Sequence, residues 1–195
     1  MFRKFDLTLP DECADRVSAA YKSSELIIEY GAGGSTFIAA QSGATILTVE
    51  SSSTWLAQLM GAIQEADLPG RVIPLWANIG RTAKWGFPAD KERAEHWHEY
   101  ALLPWRYCSE HELAPDTVLI DGRFRTACFV AAAVNTVKPV TIMVDDYRDR
   151  EWYRWVEDII KPTEMVDRLA IFEVEPGMVD VGVLLEHIDA FVDPR

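Results

Sequence analysis

The sequence predicts an α/β fold, a three-layer sandwich built on a mostly parallel seven-stranded sheet with a C-terminal antiparallel hairpin. Three observations support this prediction. Short apolar segments alternate with longer amphipathic ones, and strands separated by helices pair in parallel through crossovers. Near the end of the chain, two further strand-like segments flank a Pro-Gly turn, which is typical of a hairpin. The 195 residues, 49% of them hydrophobic, suit one domain over 1–195 with a core of its own.

The first half of the chain predicts three strands joined by helices. Residues 10–23 predict a helix, because Pro10 stands at its start and acidic residues fill its first turn. Short apolar runs then predict buried strands, and the helices between them close at a glycine or a Pro-Gly turn. In chain order these segments are strand 25–30, helix 34–43, strand 44–50, helix 52–70 and strand 71–77.

Residues 78–112 depart from this alternation and hold three of the seven tryptophans. We expect a loop and one or two helices there, forming an insertion that serves as a wall of the substrate site. Its aromatic segment WGFP suits a cover over the pocket or a homodimer contact. The alternation then resumes as strand 115–121, helix 125–137, strand 139–146, helix 150–160, and hairpin strands 164–175 and 178–187.

Composition narrows the expected partners. The net charge of -12 argues against nucleic acid, whose binding depends on Lys and Arg, and against anionic membrane surfaces. No apolar run approaches the ~18 residues of a membrane span. The first residues also lack the apolar stretch of a secretory signal. We therefore expect a cytoplasmic protein that acts on a small-molecule substrate.

The segment EYGAGGSTF, which starts at Glu29, follows the first predicted strand. Gly31 and Gly33 permit positive φ and close approach of a ligand, and the helix that begins near Gly34 offers free N–H groups. No GK[ST] follows, so this is not a nucleotide triphosphate loop. Thr36 occupies the third place of the dinucleotide pattern G-x-G-x-x-G/A, which disfavours NAD. The acid at the strand end instead suits a cation such as the ammonium group of S-adenosylmethionine; a merely structural turn is the alternative.

A second acid, Glu50, ends the second predicted strand nineteen residues after Gly31. A carboxylate at this place can accept hydrogen bonds from both hydroxyls of a ribose. Because NAD and S-adenosylmethionine both contain a ribose, Glu50 supports either cofactor.

With IIEYGAGGST, LTVES, VLIDGRF and MVDDY in that order, the sequence resembles the class I S-adenosylmethionine-dependent methyltransferases over nearly its whole length. WGFP and IDGRFR are similar to segments of small bacterial methyltransferase-like proteins whose substrates are not established. The resemblance implies a seven-stranded sheet whose last strand is inserted antiparallel beside the fifth. It also implies that Glu29, Gly31 and Gly33 line the methionine part of the cofactor. Glu50 would hold the ribose, and Asn78, where the family often has Asp, would contact adenine.

Three acids, Asp121, Asp145 and Asp146, end the fourth and fifth predicted strands. Carboxylates that converge repel one another unless a cation or proton intervenes, and oxygen ligands suit Mg²⁺ or Ca²⁺. The metal-dependent O-methyltransferases of the family carry acids at these places, so the resemblance implies that the three are catalytic and bind a metal ion. Phe124, however, stands where catechol-type members have a Lys base.

Other interpretations of this region remain open. Asp145 and Asp146 could cap the following helix while Asp121 binds substrate. Arg123 and Arg125 could neutralise the aspartates or recognise an acidic group of the substrate. For the whole chain, the alternatives to a methyltransferase are an NAD-dependent oxidoreductase on a similar sheet and a non-catalytic member of the fold.

Overall fold

One seven-stranded sheet organises the computed structural model, which describes residues 5–195. Its strands are β1 (Leu26–Tyr30), β2 (Thr45–Glu50), β3 (Arg71–Trp76), β4 (Thr117–Ile120), β5 (Val140–Val144), β6 (Glu164–Val166) and β7 (Leu169–Val174). The order across the sheet is β3-β2-β1-β4-β5-β7-β6. Strands β1 to β5 are parallel, β7 is antiparallel to β5, and β6 is antiparallel to β7. The predicted fold class is therefore confirmed, including the antiparallel strand inserted beside the fifth.

Helices cover both faces of the sheet. They are α1 (Asp11–Lys22), α2 (Gly34–Ser42), α3 (Ser53–Ala66), α4 (His98–Glu110), α5 (Arg125–Asn135) and α6 (Val181–Glu186), with 3₁₀ helices at Lys84–Gly86, Ala94–His96, Glu151–Asp158 and Ile188–Val192. The predicted helix 150–160 is thus a 3₁₀ helix. Across residues 5–195, none of the helices combines the length and apolar character that crossing a bilayer requires.

Alternate residues of the parallel strands pack into two hydrophobic cores, one on each face of the sheet. In β1, Ile27 belongs to the core under α1, α2 and α3, while Ile28 and Tyr30 belong to the core under α4 and α5. Side chains of successive strand residues point to opposite faces, so a strand covered by helices on both faces reads as a continuous apolar run. The Tyr30 hydroxyl also donates a hydrogen bond of 2.6 Å to the Ala101 carbonyl and accepts one of 3.0 Å from Trp105 Nε1, which ties α4 to the sheet.

The antiparallel hairpin exists, but the prediction of its strands was wrong. Both strands lie within 164–175, and the chain reverses at Asp167, whose φ is +45°. Aspartate tolerates this left-handed conformation, so the turn forms without the glycine or proline that usually marks one. The segment 178–187 contains α6 instead of a strand. Asp180 caps that helix by accepting a hydrogen bond of 2.6 Å from the Gly182 N–H.

The segment 78–112 has two parts with different roles. Its second part is α4, which packs against α5 and β2 and forms the crossover between β3 and β4. Its first part contains a loop at residues 81–89 that folds back on itself. The N–H groups of Ala83 and Ala89 donate to the carbonyls of Phe87 and Arg81, at 2.6 and 2.8 Å. The segment therefore contains a loop, two short 3₁₀ helices and α4.

Two glycines allow β1 and β4 to exit side by side at the carboxyl edge of the sheet. Gly31 has a φ of +95°, and a Cβ placed on it would lie 2.8 Å from Cα and N of Gly122. No side chain fits between these backbones. The turn after β1 therefore requires glycine at position 31 for both its conformation and its packing.

We expect Gly31→Ala to lower the free energy of unfolding by at least about 2 kcal/mol, because strained backbone and overpacking each cost on the order of 1–3 kcal/mol. Gly61→Ala is the matched control. Gly61 lies in α3 with open space around its missing Cβ, so alanine there should stabilise the protein by up to about 1 kcal/mol. Urea denaturation followed by circular dichroism measures both changes. Equal stabilities for the Gly31 variant and the wild type would contradict the packing described.

Candidate functional site

A cavity of about 1060 Å³ opens at the carboxyl ends of the parallel strands. Its walls are the turn after β1, the end of β2, residues 82–87, the ends of β4 and β5, and residues 5–8. The strand order reverses between β1 and β4 at this place, which is where open α/β sheets bind ligands. Gly31, Gly33, Glu50 and the acidic cluster, separated along the sequence, are brought to this one cavity.

The turn after β1 presents bare backbone to the cavity. A Cβ placed on Gly33 would have no heavy atom within 4 Å, so a ligand can approach the main chain closely there. The helix α2 begins at the next residue and directs its first N–H groups toward the same wall. The Gly33 N–H donates a hydrogen bond of 3.0 Å to Thr36 Oγ1, which holds the turn in this shape.

Glu29 lies beneath this turn and is not part of the cavity wall. It is fully buried, and its Oε2 accepts hydrogen bonds from Thr36 Oγ1 at 2.5 Å and Thr48 Oγ1 at 3.0 Å. Burial raises the pKa of Glu29 to about 7, and the hydroxyls of Ser35, Thr36 and Thr48 oppose that rise. Glu29 therefore supports the glycine turn through Thr36, whereas the resemblance placed it in contact with the cofactor.

Glu50 ends β2 and lies on the cavity wall. Its Oε1 accepts hydrogen bonds from the Ser52 N–H at 2.8 Å and from Ser51 Oγ at 3.1 Å, which fix the carboxylate in place. Burial raises the pKa of Glu50, and these hydrogen bonds counteract part of that rise. A fixed carboxylate at this position can accept hydrogen bonds from vicinal hydroxyl groups, as the sequence predicted.

The 81–89 loop lies across the Glu50 wall. The Gly86 carbonyl accepts a hydrogen bond of 3.2 Å from Ser51 Oγ, and a Cβ on Gly86 would lie 3.6 Å from Glu50 Oε1. Beside it, Trp85 adopts a φ of +63° and keeps 71% of its surface exposed. Asn78, predicted to contact adenine, is exposed after β3 and is outside the cavity lining.

The three predicted acids converge. One carboxylate oxygen of each of Asp121, Asp145 and Asp146 lies within 4.8 Å of the others, at the mouth of the cavity between β4 and β5. Burial raises the pKa of Asp121 to about 7; Arg125 opposes the rise, and the other two acids add to it. Asp145 and Asp146 do not cap the next helix, which begins only at Glu151.

Arginines neutralise the negative charge of this cluster. Two of them, Arg150 and Arg168, were not predicted from the sequence. Arg168 binds Asp145 through two hydrogen bonds of 2.9 and 2.8 Å. Asp146 accepts a bond from Arg150 and lies 3.3 Å from the guanidinium of Arg125. The i,i+4 spacing of Asp146 and Arg150 is a helical pairing signal that could have suggested this contact. Arg168 lies in the hairpin turn, and nothing in its local sequence indicates its partner.

The three carboxylates of this cluster are arranged to bind arginine side chains and not a divalent ion. Arg125 also pairs with Asp121, at 3.1 Å, so each acid already has at least one guanidinium. Mg²⁺ requires oxygen ligands that are free to form a near-octahedral shell, and a cation would have to displace these ion pairs. The convergence predicted from the sequence is confirmed, whereas the pairing with arginine counts against a metal site.

Comparison with known proteins relates this geometry to a family. No protein-family model and no curated protein matches the chain. Among solved structures, a methyltransferase-like protein from Silicibacter pomeroyi is 38% identical, covers 97% of this chain and 98% of its own, and superimposes with a TM-score of 0.88.

Two more distant structures share the fold alone. A methyltransferase from Geobacter sulfurreducens is 9% identical, with 87% of this chain and 80% of that chain covered and a TM-score of 0.53. The 16S rRNA N2 G1207 methyltransferase of Thermus thermophilus, in complex with AdoMet and guanosine, is 12% identical, with 88% of this chain and 45% of that chain covered and a TM-score of 0.51.

Replacing Glu29 by Gln should flatten the dependence of stability on pH. The folded-state pKa of Glu29 is raised, so its contribution is greatest below the unfolded value and is lost as pH rises through about 7. A rise from 4.5 to about 7 corresponds to on the order of 3 kcal/mol between pH 4 and pH 8. The measurement is the free energy of unfolding across this range, with Glu65→Gln on the exposed side of α3 as control. An unchanged slope for Glu29→Gln would contradict the buried geometry.

We expect Mg²⁺ and Ca²⁺ at millimolar concentration to leave the melting temperature unchanged. The physical reason is that the arginines already neutralise the acids, so an added cation gains little by binding. Differential scanning calorimetry with and without EDTA measures this. A rise that EDTA reverses and that Asp145→Asn abolishes would instead establish the metal site.

Proposed function

Because this chain belongs to the S-adenosylmethionine-dependent methyltransferases with a Rossmann-like fold, we propose that its cavity binds S-adenosylmethionine and that a small molecule receives the methyl group. The observation that carries the proposal is that the glycine turn and Glu50 line one cavity at the point where strand order reverses. That cavity is large enough for a nucleoside and a second small molecule.

The residues present fit this cofactor. Gly33 leaves room for close contact with the main chain, and Glu50 offers a fixed carboxylate to the ribose hydroxyls. When bound, S-adenosylmethionine supplies an electrophilic methyl group on a sulfonium centre. The AdoMet in the Thermus enzyme is consistent with this choice, as that protein shares the fold.

We assign the proton-accepting role to Asp121. It lies on the cavity wall and pairs with Arg125 through one oxygen, whereas Asp145 is almost fully buried and bound at both oxygens by Arg168. Asp121 would therefore accept the proton of an acceptor hydroxyl, and a bound S-adenosylmethionine would supply the methyl group and leave as S-adenosylhomocysteine. Asp145 and Asp146 hold the arginines in position and so orient Asp121. This favours an O-methyltransferase without a metal ion.

A small acceptor fits the shape and charge of the site. The 81–89 loop lies over the cavity, which would exclude water and orient a bound molecule. The net charge of -12 disfavours nucleic acid as the substrate. NAD is disfavoured because Thr36, at the third place of its fingerprint, is bonded to Glu29 and supports the turn.

Isothermal titration calorimetry tests the cofactor assignment directly. We expect S-adenosylmethionine and S-adenosylhomocysteine to bind, and Glu50→Ala to weaken binding by roughly 1.5–3 kcal/mol, the range for hydrogen bonds to a charged group. Glu65→Ala, on an exposed face of α3, is the control and should bind as the wild type does. Heat from NAD but from neither methionine cofactor would overturn the proposal.

A further inference from the structure

A second chamber of about 570 Å³ adjoins the main cavity. Four residues, Phe87, Arg123, Asp146 and Arg150, line both spaces, so the two share a wall. The chamber lies on the side of the acidic cluster, away from the glycine turn. It is therefore placed to hold the methyl acceptor while the cofactor occupies the main cavity.

One arginine in these walls lacks a carboxylate partner. Arg125, Arg150, Arg168 and Arg195 all pair with aspartates. Among residues 5–195, no carboxylate lies within 4 Å of the Arg123 guanidinium. Its Nε is buried and has no hydrogen-bond partner there.

Packing holds the Arg123 guanidinium in place. The centre of the Phe87 ring lies 4.9 Å from its Cζ, so the 81–89 loop supports one side of the group. The backbone N–H of Arg123 also donates to the hydroxyl of Tyr100, at 3.4 Å. A buried donor without a partner is costly, and a guanidinium fork matches the two oxygens of a carboxylate. The arrangement is thus ready for an anion that the chain itself does not supply.

The charge of the chamber favours a monoanion. Three arginines, Arg123, Arg150 and Arg195, line it together with the aspartates Asp146 and Asp149. A phosphate dianion would be repelled by these acids more strongly than a carboxylate would. Trp152, 44% exposed, adds an aromatic surface against which an apolar body can pack.

We propose that Arg123 binds the carboxylate of the methyl acceptor, which is a small carboxylic acid with an apolar or aromatic body. This inference rests on the proposed function for its account of the reaction. The binding of the anion itself does not depend on catalysis. Asp121, two residues before Arg123, then faces the part of the acceptor that carries the hydroxyl group.

The test uses the full chain saturated with S-adenosylhomocysteine and four probes: benzoate and phenylacetate, each with its amide. Calorimetry should show that the carboxylates bind more tightly than the amides. Arg123→Met should weaken carboxylate binding by about tenfold to a hundredfold, as expected for loss of a charge-assisted hydrogen bond. Arg106→Met, on an exposed arginine of α4, is the matched control and should change nothing. Arg123→Gln serves as a second variant if the first does not fold.

The outcomes separate this inference from the cofactor assignment. If S-adenosylhomocysteine binds but carboxylates and amides bind alike, or if Arg123→Met binds carboxylates as the wild type does, the anion site is disproved and the cofactor site stands. Tighter binding of inorganic phosphate than of either carboxylate would also overturn it. Failure of S-adenosylhomocysteine to bind, with carboxylates still dependent on Arg123, would disprove the proposed function and leave the anion site intact.

Discussion

The buried guanidinium of Arg125 holds together the edge of the sheet on which the site depends. The residue is only 3% exposed, and its Nε donates a hydrogen bond of 3.0 Å to the Gly122 carbonyl. Its terminal nitrogens bond Asp121 and the Asp145 main-chain carbonyl. A single cation thus connects the end of β4 to the end of β5. Without Arg125, the carboxylates that follow these strands would be poorly solvated and would have less positive charge beside them. Burying a charge without an opposite charge is unfavourable.

The hairpin completes this electrostatic arrangement at the same edge of the sheet. Because β7 is inserted beside β5, the turn between β6 and β7 places Arg168 against Asp145. The antiparallel strands therefore also contribute a charged side chain to the acidic cluster. Arg168 binds both carboxylate oxygens of Asp145, whereas Asp121 is paired with Arg125 through one oxygen. Charge compensation from three separate elements thereby differentiates acids that look equivalent in the sequence.

Close packing of backbone gives the cofactor side of the cavity its shape. Gly31 and Gly122 meet where β1 and β4 exit, and Tyr100 from α4 approaches the same point. The crossover helix between β3 and β4 is therefore in contact with the segment that leads to Arg123. Beneath the turn, Glu29 Oε2 accepts hydrogen bonds from the hydroxyls of Thr36 and Thr48. Gly122, Tyr100 and Glu29, which are outside the cavity lining, therefore support this wall from behind.

The sequence by itself determined the fold class, the five parallel strands, the glycine turn and the convergence of three aspartates. These features follow from local apolar periodicity and from the rule that parallel strands end at one edge. Local patterns could not locate the hairpin turn at Asp167, because an aspartate there adopts a backbone conformation that usually marks glycine.

Only the tertiary structure decided what each acid contacts. Arg168 is 23 residues from Asp145, and the two meet because the last strands reverse direction beside β5. Likewise, Arg123 and Arg125 look alike in IDGRFR, but Arg125 pairs with Asp121 and Asp146, whereas Arg123 packs against the Phe87 ring. Burial and long-range contacts set the charge of a site, and neither is encoded in the spacing of residues along the chain.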